Sequence, residues 1–283
     1  MMTRRGLTLF VALSIIWGLP YLFIKIAVEE LDPVITVFAR TLPSAILLLL
    51  WSWYRGQLRR NLKYWKFGLL FGAVEMVFPW WFISRAEMEI SSGLTGLLLA
   101  TVPLVGVVIA YSRGEKPTGK RLVGLAVGLI GVSLLVGDGS AMSDSGLLAI
   151  GMVLLAAVGY AFGPVIINDT PADADSATII AFSLAFVSLV YLPFAIVRWP
   201  AEVPSPPVIS AVVVLALVCT VAAFLVFFAL VAEIGPMRST LITYFNPAVA
   251  IVLGIVFLDE VLTLGIAIGF PLVLAGSWLA SNQ

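Results

Sequence analysis

No histidine occurs among the 283 residues, and the single cysteine is Cys219. The first absence removes the usual zinc ligand, the usual catalytic base and the side chain that carries protons near neutral pH. The second excludes an intrachain disulfide framework and a four-cysteine metal site. Cys219 lies in an apolar run and reads as a small core residue. Charge is scarce as well: Asp, Glu, Lys and Arg together make 11% of the chain, with a formal net charge of zero. Nothing here offers a basic surface to nucleic acid. No phosphate-binding glycine loop is present, so the chain cannot itself use ATP. With nucleophile, base and metal ligands missing, no enzyme activity and no cofactor are expected.

What the chain has instead is hydrocarbon. Hydrophobic residues make 61% of it, whereas soluble domains average roughly 45–50% apolar and about 25% charged. A bilayer core of about 30 Å takes roughly 20 apolar residues per helix. By that measure ten segments are predicted, at 7–28, 34–54, 62–84, 91–111, 120–137, 145–167, 177–197, 207–230, 237–257 and 263–280. The breaks between them are short and carry charge, proline or glycine, as in Glu29-Glu30-Leu31-Asp32-Pro33 and Pro204-Ser205-Pro206-Pro207. No soluble domain fits between them. The first segment follows Arg4 and Arg5 but is too long for a signal-peptide core and is taken as a retained helix.

Two stretches about 144 residues apart are near copies. Glu89, Ile90, Pro103, Glu115, Gly124 and Gly131 are matched by Glu233, Ile234, Pro247, Glu260, Gly269 and Gly276, with one extra residue between Pro247 and Glu260. The chain therefore divides into repeats 1–139 and 140–283, each of five segments. Five is odd, so the second repeat enters the membrane from the opposite side. The fold expected is an all-α integral membrane protein with ten helices in a five-plus-five inverted repeat around a central cavity, the mark of a secondary transporter. Twelve of the sixteen Lys and Arg residues fall on one side if the N-terminus is cytoplasmic, so an N-in, C-in inner-membrane orientation is predicted. The loop with Asp169, Asp173 and Asp175 carries no positive charge.

Trp17-Gly18, Ser91-Ser92-Gly93 with Pro103, Gly114-Glu115, Gly235-Pro236, Asn246-Pro247 and Asp259-Glu260 resemble the motifs of the drug/metabolite transporter superfamily, in its EamA-type group. The resemblance covers essentially the whole chain, and within the group it is nearest to bacterial exporters of aromatic amino acids. It implies a basket of helices around a cavity walled by the third, fourth, eighth and ninth segments, with parts of the first and sixth, and export from the cytoplasm. Where the first repeat has Ser91-Ser92-Gly93 the second has Gly235-Pro236-Met237, so the two sides of such a cavity differ chemically.

Interrupted helices at corresponding positions point to a transporter site. Gly18 and Pro20 are matched by Gly163 and Pro164, and Pro103 by Pro247; these are the predicted breaks or hinges, with a packing kink as the plainer alternative. Glu75 is the one carboxylate near the middle of a segment. A charge there costs about 2.5–3.5 kcal/mol, so it faces a cavity or a partner. Its roles are to hold a substrate ammonium or to take up a coupling proton; the structural alternative is a protonated Glu or one paired with Lys25, Arg40 or Arg85. Phe78 and Phe82 follow on the same helical face. Trp17, Tyr21, Tyr160 and Phe224 complete an aromatic lining suited to planar or cationic substrates, with Thr95, Thr240 and Tyr244 as polar wall residues. Lipid contact is the alternative for the aromatics. Lys25 and Arg40 read as rim charges, paired with nearby acids or snorkelling, and otherwise as gate charges. Glu115, Asp259 and Glu260 suit capping. Glycine pairs such as Gly68 and Gly72, Gly124 and Gly128, and Gly265 and Gly269 suit close helix packing.

The reading that follows is a secondary transporter exporting small metabolites, most plausibly aromatic or broadly hydrophobic amino acids, by alternating access. Its partners are a small-molecule substrate, the lipid bilayer and a candidate coupling proton, and it works as a monomer. The alternatives are a multidrug or other metabolite exporter, a passive channel and an intramembrane enzyme.

Overall fold

A computed structural model of the chain describes residues 3–112, 114, 118–137 and 143–281. Nine helices among the described residues are long and apolar enough to cross a membrane, and a shorter tenth follows. They are α1 (Arg4–Ala27), α2 (Pro33–Tyr54), α3 (Gln57–Ala86), α4 (Ser92–Ser112), α5 (Gly119–Val136), α6 (Asp144–Ile167), α7 (Ser176–Val197), α8 (Pro206–Ile234), α9 (Leu241–Leu258) and α10 (Leu264–Ala280). No strand occurs among the described residues.

Local chemistry sets the helix starts. Asp32 accepts from the Val34 amide at 2.8 Å with Pro33 at the first helical position. Asp175 accepts from the Thr178 amide at 3.0 Å, and Ser143, Thr118 and Ser91 cap α6, α5 and α4 in the same way. Each satisfies an amide that the first turn leaves without a partner. Large apolar side chains then point outward along these helices, among them Leu189 at 67% exposure and Val256 at 63%, as expected of surfaces that face lipid.

Matched glycines of the two repeats meet each other. A Cβ on Gly131 would lie 2.9 Å from the Gly269 carbonyl oxygen, and one on Gly269 would lie 2.8 Å from that of Gly131. Likewise a Cβ on Gly124 or Gly276 would each lie 2.7 Å from the other's carbonyl oxygen. Gly124 is the counterpart of Gly269 and Gly131 that of Gly276, so each contact is the image of the other. That reciprocity is the signature of twofold symmetry, here between halves of one chain. Backbones touch along α5 and α10 because no side chain stands between them. Gly68 and Gly72 do the same against α7, where their Cβ positions would meet the Ile179 and Ser183 carbonyl oxygens, each at 2.9 Å.

Charges at the bundle ends bind one repeat to the other. Asp173 pairs with Lys63 at 3.1 Å and accepts from the Tyr64 hydroxyl, and Asp175 faces Arg55 at 3.6 Å. The acidic loop thus meets the basic end of α2 and start of α3. At the opposite end Arg198 pairs with Asp32 at 2.7 Å and Glu30 accepts from the Ser205 amide at 2.8 Å. Ser205 holds the Glu30 carboxyl below its usual range, and the Tyr64 hydroxyl does the same for Asp173.

Candidate functional site

Two pairs of helices are irregular at corresponding places. α3 and α8 each contain a widened turn, Gly72–Val77 and Leu217–Ala222. α4 is interrupted at Ala100–Thr101 and α9 at Phe245, just before Val102-Pro103 and Asn246-Pro247. Widened turns occur frequently at functional sites. They also free carbonyls, which at membrane depth must find partners. Tyr191 donates its hydroxyl to the Val77 carbonyl at 2.7 Å, Thr220 to Leu215 at 2.8 Å and Ser44 to Ala216 at 2.9 Å. At the interruptions, Ser277 donates to the Ala100 carbonyl at 2.7 Å, and the Asn246 amide, turned to suit its neighbours, donates to Ser14 at 3.1 Å and Ile242 at 3.0 Å. The freed carbonyls are therefore closed by side chains of the bundle.

α1 is broken at Trp17–Gly18, and Pro20 opens its second half. A Cβ on Gly18 would meet Val249 at 2.5 Å and the Asn246 carbonyl oxygen at 3.1 Å, so the break in α1 nests against that in α9. The expected matching break at Gly163 and Pro164 is absent: α6 runs unbroken through Pro164. Its packing explains this. Gly159 lies under the Val74 carbonyl and Pro79, and the Glu75 carboxyl occupies the space that a Gly163 side chain would need, so α3 clamps α6 on both sides of Tyr160.

Glu75 stands in the first widened turn and Cys219 and Thr220 in the second. Tyr160 packs between the two main hydrophobic clusters and lies within electrostatic reach of Glu75, Tyr21 and Arg40. Tyr21 rests on Gly96 of α4, whose Cβ would meet its ring at 3.4 Å. Arg40 is not a rim charge. It is 8% exposed, donates Nε to Thr220 Oγ1 at 2.8 Å and lies with its guanidinium 3.8 Å from the centre of the Trp80 ring. Arg40 is eight residues past the capping Asp32, about 12 Å into the helix, well beyond the rim. Glu75 has no ion-pair partner among the described residues, and Arg85 pairs with Glu89 at 3.0 Å instead.

The remaining candidates divide. Trp17 joins Phe224 and Phe227, with ring centres 6.1 and 5.0 Å away, and Phe224 stacks on Phe228 at 6.2 Å. Phe78 is 62% exposed and meets only the edge of this region through Phe82; the widened turn inserts a residue's worth of rotation between it and Glu75. Thr95 is fully buried and bonds back to the Ser91 carbonyl. Tyr244 donates to the Ser277 carbonyl at 3.1 Å, toward α10. The side chain of Thr240 and the loop residue Glu115 lie outside the described residues.

Lys25 caps a helix rather than pairing with the acids near it in sequence, its Nζ donating to the Glu87 carbonyl at 2.5 Å and that of Ile90 at 3.0 Å. The Glu87 side chain beside it is fully buried with both oxygens unpartnered. Glu260 caps α4 from the other repeat, accepting from the Ser92 amide at 2.6 Å and the Gly93 amide at 3.0 Å. A cavity of about 400 Å³ opens at this end, lined by Val28–Pro33, Trp81, Arg85, Met88 and Arg198; none of the residues chosen from the sequence lines it.

Comparison with known proteins agrees with this architecture. The sequence pattern of the EamA-like transporter family matches twice, at residues 4–137 and 147–282. The uncharacterised inner membrane transporter YedA of Escherichia coli is 29% identical over 86% of this chain and 79% of its own length. The uncharacterised transporter YvbV of Bacillus subtilis is 26% identical over 99% of this chain and 92% of its own. A protein of Escherichia coli named as a probable amino-acid metabolite efflux pump is 21% identical over 98% and 95%. One solved crystal structure shares the fold, with a TM-score of 0.66 at 18% identity over 99% of this chain and 97% of that one. With the family pattern matching both halves of the chain, at 4–137 and 147–282, the protein belongs to the EamA-like transporter family.

Proposed function

We propose that this transporter exports amino acids, aromatic or broadly hydrophobic, and related metabolites from the cytoplasm by alternating access. A transporter of this family handles small-molecule substrates within the membrane. The observation that carries the finer reading is the meeting of the repeats at Glu75, Tyr160 and Tyr21, joined to the Trp17 and Phe227 rings through Phe224, which packs on the same hydrophobic cluster as Tyr160: a carboxylate for an ammonium together with apolar flat surfaces. The name of the 21%-identical Escherichia coli relative supports it. The Lys and Arg distribution supports an inner-membrane N-in, C-in orientation. Glu75, alone at this depth among the acids, is the candidate for proton coupling, and one chain holds both repeats, which supports a functional monomer.

Counterflow of radiolabelled Phe, Trp, Leu, Thr and a cationic dye in proteoliposomes, with and without a pH gradient, tests this. Saturable exchange of the amino acids, accelerated by the gradient and made pH-independent in Glu75→Gln, is the expected result. Movement of the dye alone assigns the aromatic cluster to drug export instead, and conductance without saturation makes the protein a channel. An unchanged rate and pH profile in Glu75→Gln removes that residue from coupling.

A further inference from the structure

We infer that Arg40 binds the carboxylate of the cargo, so that the molecules carried are those bearing a carboxylate. This rests on the transporter reading above and specifies its substrate.

A guanidinium has five N–H donors and no acceptor. In Arg40 the Nε–H is used by Thr220, and one face lies on Trp80. The four Nη donors have no acceptor among the described residues, although the side chain is 92% buried by its 8% exposure. The groups facing it are Tyr21 from α1, Tyr160 from α6 and Cys219 and Thr220 from α8, with Trp80 from α3. None is a carboxylate, and no ion pair involving Arg40 occurs among the described residues. A cation held in hydrocarbon without a counter-ion marks a functional site. A buried Arg kept for structure alone is ordinarily paired.

The support around it fixes direction. Thr220 sits in the widened turn of α8, and its hydroxyl is locked by its own bond to the Leu215 carbonyl at 2.8 Å. That leaves its oxygen lone pair for Arg40. With Nε tied on one edge and the plane laid on an indole, the Nη edge is presented as a fork, which matches the two oxygens of a carboxylate. Tyr21 and Tyr160 bring hydroxyl donors to the same space. The carboxylate of Glu75, like Arg40, lies within electrostatic reach of Tyr160, so an amino acid bound against Tyr160 would have a cation and an anion within reach. The second repeat has Ser183 eight residues past its capping aspartate where the first has Arg40, so the site is single.

The test compares phenylalanine, phenylpropionate, phenethylamine and inorganic phosphate for binding to the purified protein, read by tryptophan fluorescence, and the three organic compounds for counterflow. Expected are saturable binding of phenylalanine and phenylpropionate, at least tenfold weaker binding of phenethylamine, and no competition by phosphate. In Arg40→Met both carboxylates lose at least tenfold while thermal stability is kept or raised, since an unpaired buried charge is gone. Arg40→Lys, which keeps the charge but not the fork, and Thr220→Val, which frees Nε, each lose severalfold. Phenethylamine carried as well as phenylalanine overturns the inference and leaves the transporter reading standing, as does phosphate competing with phenylalanine. Wild-type affinity for phenylpropionate in Arg40→Met, or in both Arg40→Lys and Thr220→Val should Arg40→Met fail to fold, also overturns it. A wild-type protein that moves none of the three removes both readings.

Discussion

The two repeats share a backbone and differ in chemistry. Both widen the third helix of the repeat, at Gly72–Val77 and Leu217–Ala222, and both interrupt the fourth, near Ala100 and Phe245. Yet Glu75 faces Cys219 across the repeat relation, Arg40 corresponds to Ser183, and the broken α1 corresponds to an unbroken α6. Irregular backbone is duplicated because each half needs the same bends to pack on the other. Charge is not duplicated, because every charge in hydrocarbon costs free energy.

Where the halves are alike, disruption should be severe. Gly131→Leu or Gly276→Leu pushes a side chain into the facing backbone, which cannot yield as a side chain would. Each is expected to exceed the roughly 1–3 kcal/mol typical of overpacking and to abolish recovery of monodisperse protein in detergent, while Gly106→Ala, with nothing within 4 Å of its Cβ, stays within about 0.5 kcal/mol of wild type. Removing the cross-repeat cap by Glu260→Ala is expected to cost about 1.5–3 kcal/mol, the worth of a charge-assisted hydrogen bond to an amide at a part-exposed site; thermal unfolding measures it, and a loss below about 0.5 kcal/mol would show the Ser92 and Gly93 amides content with water. Ser277→Ala and Asn246→Ala open the interruptions of α4 and α9 in turn. Each should cost about 1–2 kcal/mol, and a much larger loss for one than the other would show that the two interruptions are not equivalent supports.

The smallest effect concerns Asp173. Its carboxyl is held below the ordinary value of 3.8 by Tyr64 and Lys63, so its contribution is present above the unfolded value and is lost as pH falls through the lower folded one. Unfolding followed below about pH 4 should show a shallow loss in wild type that Asp173→Asn lacks, with no difference between them at neutral pH beyond a constant offset.

Much of the fold is legible in the sequence because lipid imposes length. Runs of apolar residues set all ten segments, and the glycines that repeat at 124 and 131 and at 269 and 276 are the seam itself. Across that seam Gly269 meets Gly131 and Gly276 meets Gly124. α3 begins at Gln57 rather than 62, because its polar first turn is carried at the bundle end by contacts that hydropathy does not register. Site chemistry was less legible. Apolar patterning separates lipid from protein poorly when both are apolar, so Phe78 and the inward rings look alike in one dimension. Widened turns leave no motif, and the closeness of Arg40 to Glu29, Glu30 and Asp32 in sequence suggests a rim pair that its distance past the capping Asp32 rules out. The unbroken α6 depends on Glu75 and Pro79 from another helix, which no local signal at Pro164 reports.

The Glu260 cap has a kinetic side. Its two oxygens hold consecutive amides at the first turn of α4 from the other half of the chain. Any excursion that parts α4 from that half must release both bonds together. If transport opens the molecule at that end, such a clasp sets how long it stays shut, and the closed interval should lengthen on cooling.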